Sequence, residues 1–188
     1  MAGHSDGEVW GLNIHPSLPN IVVTSCDDNK ICVWDMEKRC RIGKGTVNKK
    51  RGKKPKIGGA STLSRYPPNQ CSRAVAIHPN NGHIAVSDNE GQVTIRADYN
   101  DIDNIINAFR DTKQWNEVME YSPDGNWLAV GSHDCRIRVY DVNSGYKMVG
   151  RCKGHSSYIH CLDWSVDSNS LRTVCGGYEL LYWTKDGS

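Results

Sequence analysis

The 188-residue sequence lacks any continuous apolar run near the ~18–20 residues that a membrane-spanning helix needs. Its start, MAGHSDGEVW, has neither a basic segment nor an apolar core and does not read as a secretory signal. Eight cysteines are present (Cys26, Cys32, Cys40, Cys71, Cys135, Cys152, Cys161 and Cys175), yet none forms a Cys-x-x-Cys pair, which argues against a zinc knuckle or a disulfide scaffold. Several lie in apolar runs, where a free thiol packs as a small hydrophobe, so structural thiols in a reducing compartment are expected. Catalytic motifs are missing as well. There is no HExxH and no GxSxG. A phosphate-binding loop needs Gly-Lys-Ser/Thr, whereas Gly52-Lys53 runs into Lys54 and Pro55, and Gly58-Gly59 has no lysine. No enzyme activity, metal or cofactor is expected, and no long segment carries the 3.6-residue period of a helix.

One stretch lacks acidic residues altogether. From Lys38 to Lys56 there are ten Lys/Arg and no Asp or Glu, so a chain of net charge +2 carries −8 elsewhere. The run VNKKRGKKPKIGG (47–59) holds Lys49, Lys50, Arg51, Lys53, Lys54 and Lys56. A short basic run is commonly a solvated or unstructured loop without a partner. It also fits a nuclear address or a phosphate-backbone contact, but it contains no interleaved aromatic for base stacking, which disfavours nucleic acid.

What is present is repetition. Four segments, 9–35, 72–95, 116–141 and 157–183, share strand, polar turn, strand, tight turn, strand. Their equivalent turn positions, Pro16, Pro79, Pro123 and Val166, are separated by 63, 44 and 43 residues. The latter two spacings match a WD40 period of ~40–45, and the first is about twenty too long. The basic run is therefore read as an insertion between the first two units. Alternation with period two in WLAVGS and IRVYD predicts strands, with Asp28-Asn29 and Asp124-Gly125 as turns. IDNIINAF (102–109) is placed as an outer strand. Trp10, Trp34, Trp127, Trp164 and Trp183 are expected in the core, with Trp115 the exposed one.

Gly3-His4 opens and Trp34-Asp35 closes the first unit, Gly154-His155 opens and Trp183 closes the fourth, and Tyr140-Asp141 closes the third. These residues resemble the WD40 repeat. The resemblance implies an all-β propeller and, in each blade, a buried chain of His, hydroxyl, turn Asp and Trp, groups that can satisfy one another's hydrogen bonds. His4, Asp28 and Trp34 fit it, with Cys26 where a hydroxyl is usual. Ser132 and Asp134 fit in the third unit, which has no His. Glu90 takes the Asp position in a degenerate second unit. In the fourth, Gly177 replaces the Asp and Thr184 follows Trp183, weakening the chain. His4 and His155 recur at the repeat period with no nucleophile beside them, so they are read as structural rather than catalytic.

The match narrows further. GRCKGHSSYIHCLDWSVDSNSLRTVCGGYELLYW (150–183), YSPDGNWLAVGSHDCRIRVYD (121–141) and GHSDGEVWGLNIHPSLPNIVVTSCDDNKICVWD (3–35) are similar to blades of the echinoderm microtubule-associated-protein-like family, in its second propeller. The resemblance covers most of the chain outside about 40–65. It implies a non-enzymatic scaffold that binds tubulin and other cytoskeletal or axonemal proteins, in the cytoplasm and cytoskeleton and in cilia or flagella, with no membrane association. A generic WD40 interaction scaffold, nuclear or nucleic-acid-associated through the basic loop, is the alternative. The expected segments are 1–46 (first blade), 47–66 (basic insertion), 67–110 (second, degenerate blade), 111–151 (third blade) and 152–188 (fourth, truncated blade). About four consecutive blades of a larger, seven-bladed or tandem, propeller are expected, because an open arc leaves two raw sheet edges. The chain is thus read as part of a longer protein, and mass spectrometry of the native protein is expected to give a mass well above the 21.0 kDa of this chain.

Overall fold

A computed structural model describes residues 3, 4, 7–47 and 71–187. Apart from Val47, the expected insertion at 47–66 lies outside the described residues, and with it Lys49, Lys50, Arg51, Lys53, Lys54 and Lys56. The described residues form fifteen strands in four antiparallel sheets and contain no helix. Blade 1 comprises β1 (Val9–Ile14), β2 (Ile21–Cys26), β3 (Lys30–Asp35) and β4 (Cys40–Thr46). Blade 2 comprises β5 (Ser72–Ile77), β6 (Ile84–Asp88), β7 (Gln92–Arg96) and β8 (Ile105–Arg110). Blade 3 comprises β9 (Asn116–Tyr121), β10 (Trp127–Ser132), β11 (Arg136–Asp141) and β12 (Lys147–Lys153). Blade 4 has three strands, β13 (Ile159–Trp164), β14 (Ser170–Cys175) and β15 (Leu180–Thr184). Each sheet is a simple meander in chain order. The outer strand of blade 2 starts at Ile105, with Ile102 in the preceding turn, and β12 runs two residues past the expected 151 boundary.

Side-chain alternation explains the stacking. In β5, Val75 and Ile77 join Ile21, Val23, Ile31 and Val33 of blade 1. Ala74 and Ala76 point the other way, against Met119, Tyr121, Leu128 and Val130 of blade 3. Blade 3 in turn lays Ala129, Ile137 and Val139 on Ile159, Leu162, Trp164 and Leu171 of blade 4. Small alanines on one face and branched residues on the other let sheets approach at the ~10 Å spacing of face-to-face packing. The outermost faces of the arc show the converse: Leu12 is 63% exposed in blade 1 and Tyr182 69% in blade 4.

The tight β2–β3-type turns repeat one geometry. Asn29, Gly91, Cys135 and Tyr178 all have positive φ, at 61°, 85°, 63° and 63°. At Gly91 a Cβ would sit 2.6 Å from the Gln114 carbonyl oxygen, so glycine is required there for space as well as for backbone conformation.

All eight cysteines are free thiols, and Cys26, Cys32, Cys71, Cys152 and Cys175 are buried. Burial pushes the Cys152 thiol up to about 11, which keeps it protonated and unreactive. Trp164 is buried, and Trp34, Trp127 and Trp183 are half-buried. Trp10 differs from the expectation that it fills a core. It is 42% exposed, like Trp115 at 38%, because a register irregularity between Val9 and Gly11 turns it out of the strand's alternation.

Leu128 is fully buried between blades 2 and 3. Leu128→Ala is expected to destabilise the chain by about 2–5 kcal/mol, read as a lower midpoint in urea at unchanged slope.

Candidate interaction site

Two blades are closed by the same relay. In blade 1 the Trp34 indole N–H donates to Thr24 Oγ1 at 2.7 Å. Thr24 Oγ1 lies 2.8 Å from His4 Nε2, and His4 Nδ1 lies 3.1 Å from Asp28 Oδ1. A hydroxyl has one proton, so Thr24, accepting from Trp34, donates to His4 Nε2. The ring then carries its proton on Nδ1 and gives it to Asp28. The hydroxyl expected at Cys26 therefore comes from Thr24, two residues earlier on the same face. Cys26 instead accepts the Asp28 N–H on sulfur at 3.5 Å.

Blade 4 repeats this with one exchange. Trp183 donates to Thr173 at 2.7 Å, and Thr173 reaches His155 Nε2 at 2.7 Å. Gly177 leaves no carboxylate at the turn. Glu179, two residues on, supplies it and accepts from His155 Nδ1 at 3.3 Å, Ser156 N–H at 2.9 Å and the Cys175 thiol at 3.1 Å. These donors, the Ser156 backbone N–H foremost and then the Cys175 thiol, hold the Glu179 carboxyl down at about 2. The relay in this blade is complete rather than weakened. His155, Cys175 and Glu179 place metal-type ligand atoms within 4.8 Å of one another, but their protons and lone pairs already satisfy one another.

Blades 2 and 3 reach the same end by other chemistry. In blade 3 the Arg138 guanidinium forks onto Asp134, and the Tyr140 hydroxyl donates to Asp111 at 3.1 Å. Burial pushes the Asp134 carboxyl up, and the Arg138 charge and hydrogen bonds outweigh it, leaving the group below its ordinary value. Ser132 Oγ donates to the Trp115 carbonyl at 2.8 Å. In blade 2, Asp88 rather than Glu90 caps the turn, accepting the Glu90 and Gln92 N–H groups at 2.9 Å each. Glu90 pairs with Arg110 at 3.5 Å instead. Arg96 stands five residues after Gly91, as Trp34 stands five after Asn29. Fully buried, it donates to the carbonyls of Ile102, Thr46 and Val47 at 2.7, 2.8 and 2.8 Å, tying blade 1 to blade 2.

His78 is a staple that motif reading passed over. Its Nε2–H donates to the Gly125 carbonyl of the next blade at 2.9 Å, while Nδ1 accepts from Asn80 and Asn81 at 3.1 and 3.2 Å. Burial lowers its pKa, in keeping with a neutral ring that uses one nitrogen each way. The repeated His-Pro at 15–16 and 78–79 was the available signal.

At one end of the innermost strands the blades share a further device. Every blade has a register irregularity at the start of that strand, which singles out Trp10, Arg73, Glu117 and His160. The Arg73 guanidinium lies 4.2 Å from the ring centres of both Trp10 and Trp115, a cation–π sandwich spanning three blades. Trp115 meets His133 at 5.1 Å, and His133 stacks on Tyr158 at 4.8 Å and 20°. His133 Nε2 also pairs with Glu117 at 3.1 Å. Trp10 donates its indole N–H to Asp27 at 3.0 Å. The result is an aromatic rim above the inner wall.

Stacked antiparallel meanders of three or four strands, indole–hydroxyl–imidazole–carboxylate relays and an open inner wall define a WD40 β-propeller protein. A profile described as the echinoderm microtubule-associated protein second beta-propeller matches residues 9–188, and the chain belongs to that family. It is 45% identical over 185 residues to the "Ciliary WD repeat-containing protein ctxp80" of Euplotoides octocarinatus, covering 98% of this chain and 25% of that protein. It is 34% identical over 179 residues to the "77 kDa echinoderm microtubule-associated protein" of Strongylocentrotus purpuratus, covering 94% and 23%. It is 35% identical over 190 residues to the human "Echinoderm microtubule-associated protein-like 3", covering 100% and 18%. The chain thus spans a quarter or less of the length of these relatives.

Thr173 is buried, and Thr173→Val keeps its shape while leaving His155 and Trp183 without their shared partner. A loss of about 1–3 kcal/mol is expected in chemical denaturation. The Glu179 contribution has its own pH window. Its folded carboxyl sits at about 2 against an ordinary 4.5, so the stabilisation is full above pH 4.5 and disappears as pH falls through about 2. The stability gap between the native chain and Glu179→Gln is expected to close across that window.

Proposed function

We propose that this chain forms part of a non-enzymatic, microtubule-associated scaffold that binds tubulin through the surfaces of its propeller. Membership of the family carries this reading, together with relatives whose names record microtubule association in sea urchin and human. The ciliary name of the Euplotoides protein supports a place in the cilium or axoneme. The fold suits the task physically. Stacked sheets hold turn and strand residues on rigid edges, where contacts are made at little ordering cost.

The basic residues Lys49, Lys50, Arg51, Lys53, Lys54 and Lys56 are proposed as an auxiliary contact with the acidic tubulin surface. Each exposed Lys–carboxylate pair is worth only about 0–1 kcal/mol and is screened over ~8 Å at physiological salt. They add long-range attraction and association rate, while shaped blade surfaces supply specificity.

Co-sedimentation with taxol-stabilised microtubules tests both parts. The chain is expected in the pellet at low salt, with binding falling as salt rises. Deleting residues 47–56 is expected to weaken binding and flatten the salt dependence. No pelleting at any salt refutes the reading, and an unchanged salt profile in the deletion removes the basic run from it.

A further inference from the structure

The inner wall beneath the aromatic rim holds an acid with no counter-charge among the described residues. Glu120 of β9 lines two adjoining clefts. One is shared with Trp10, Arg73 and Glu117, and the other with the turn prolines Pro16, Pro79 and Pro123. Among the described residues, nothing donates to its carboxylate or forms an ion pair with it. The charged group that bears on it is another acid, Asp163 of β13, which is itself held by Arg172 at 2.9 Å. A half-buried carboxylate without a partner costs stability, and such a cost at a cleft is the mark of a site built for something else. The rim above is unfinished in a complementary way. The Arg73 side chain is 10% exposed, yet among the described residues its Nε and Nη1 have no hydrogen-bond acceptor, and the carboxylate of Asp27 lies 3.8 Å from Nη2. Bulges at the same strand position in blades 1, 2 and 3 re-aim Trp10, Arg73 and Glu117, which line this opening, a common role of a bulge beside a binding site.

We propose that this opening is a peptide-recognition site that receives an arginine or lysine side chain. Trp10 and Leu12 flank the aliphatic stem, Arg73 meets a backbone carbonyl of the peptide, and Glu120 takes the cationic head. Trp and Arg are among the residue types that dominate binding energy at interfaces, and the unpartnered carboxylate at the base of the cleft supplies the charge complementary to a guanidinium or ammonium. The site is separate from the microtubule reading, since its charge calls for a basic partner rather than an acidic one.

Glu120 also sets a pH signature. Burial, and then the Asp163 charge, raise its carboxyl from an ordinary 4.5 to about 7. Between those values the unfolded chain has lost this proton while the folded chain keeps it, so the Glu120 contribution to stability falls as pH rises from 4.5 to 7. Arg73, set against Asp27, and Glu117, paired with His133, are the other charged groups at the cleft, and Asp163, held by Arg172, bears on Glu120 from β13. Glu120→Gln is therefore expected to raise the melting temperature at pH 8 while weakening the site.

Tryptophan fluorescence of the full chain, titrated with an end-capped Gly-Ser-Arg-Ser-Gly peptide and its Lys, Gln and Glu counterparts, tests the proposal. Saturable binding of the Arg or Lys peptide is expected at pH 8, at least tenfold tighter than the Gln peptide, with no binding of the Glu peptide. Glu120→Gln is expected to abolish the preference for the cationic peptides, while Glu37→Gln, at an exposed turn, leaves it intact. Thermal melts show that each variant is folded. Equal affinity for the Arg, Lys and Gln peptides, or an unchanged preference in folded Glu120→Gln, overturns the proposal.

Discussion

A blade of this protein is a sheet with two apolar faces, and a sheet of that kind is stable only between two others. Blade 2 shows the condition met: all of β6 is buried, with Val75 and Ile77 committed to one neighbour and Ala74 and Ala76 to the other. Nearly every other device in the molecule serves this stacking. His78 reaches across to Gly125, Arg96 reaches back to Thr46 and Val47, and the Trp164 indole donates to the Glu120 carbonyl at 3.2 Å. Each crosses a blade boundary and ends on a backbone carbonyl, which no side-chain substitution in the partner blade can remove.

The relays inside the blades solve a smaller problem. Each tight turn leaves polar groups near the core that must be satisfied from within. Blades 1 and 4 do so with neutral donors passed along a chain from indole to carboxylate. Blade 3 uses a charged pair, Arg138 and Asp134, and blade 2 uses the Asp88 carboxylate at its turn. Three chemistries hold one geometry, so the geometry and not the residue set is the invariant.

That distinction decides what could be read from the chain alone. The blade count, strand order and fold class were legible because proline spacing and period-two alternation are written in consecutive residues. The members of the relays were only partly legible. Thr24 and Cys26 lie on the same face of one strand, and spacing alone does not say which faces the imidazole. Glu179 was hidden behind Gly177 because a longer side chain from two residues on reaches the same point. Arg96 was missed because a cation at an indole position looks like decay until its three carbonyl partners are seen. Trp10 was assigned to the core because alternation carries no record of a bulge, and one added residue reverses a side chain's direction. The aromatic rim is built from residues of several blades, a juxtaposition that exists only after stacking.

The bulges have a consequence for how such a surface changes over time. Trp10, Arg73, Glu117 and His160 occupy one position in four successive blades, and each is lifted out of the packed alternation by the same backbone device. They share a scaffold but no chemistry. A position outside the apolar clusters between blades can vary without emptying the core, so the inner wall resembles a row of movable type set in a fixed frame. Exchanging one blade's character rewrites what the row says, and the frame that holds it does not have to fold anew.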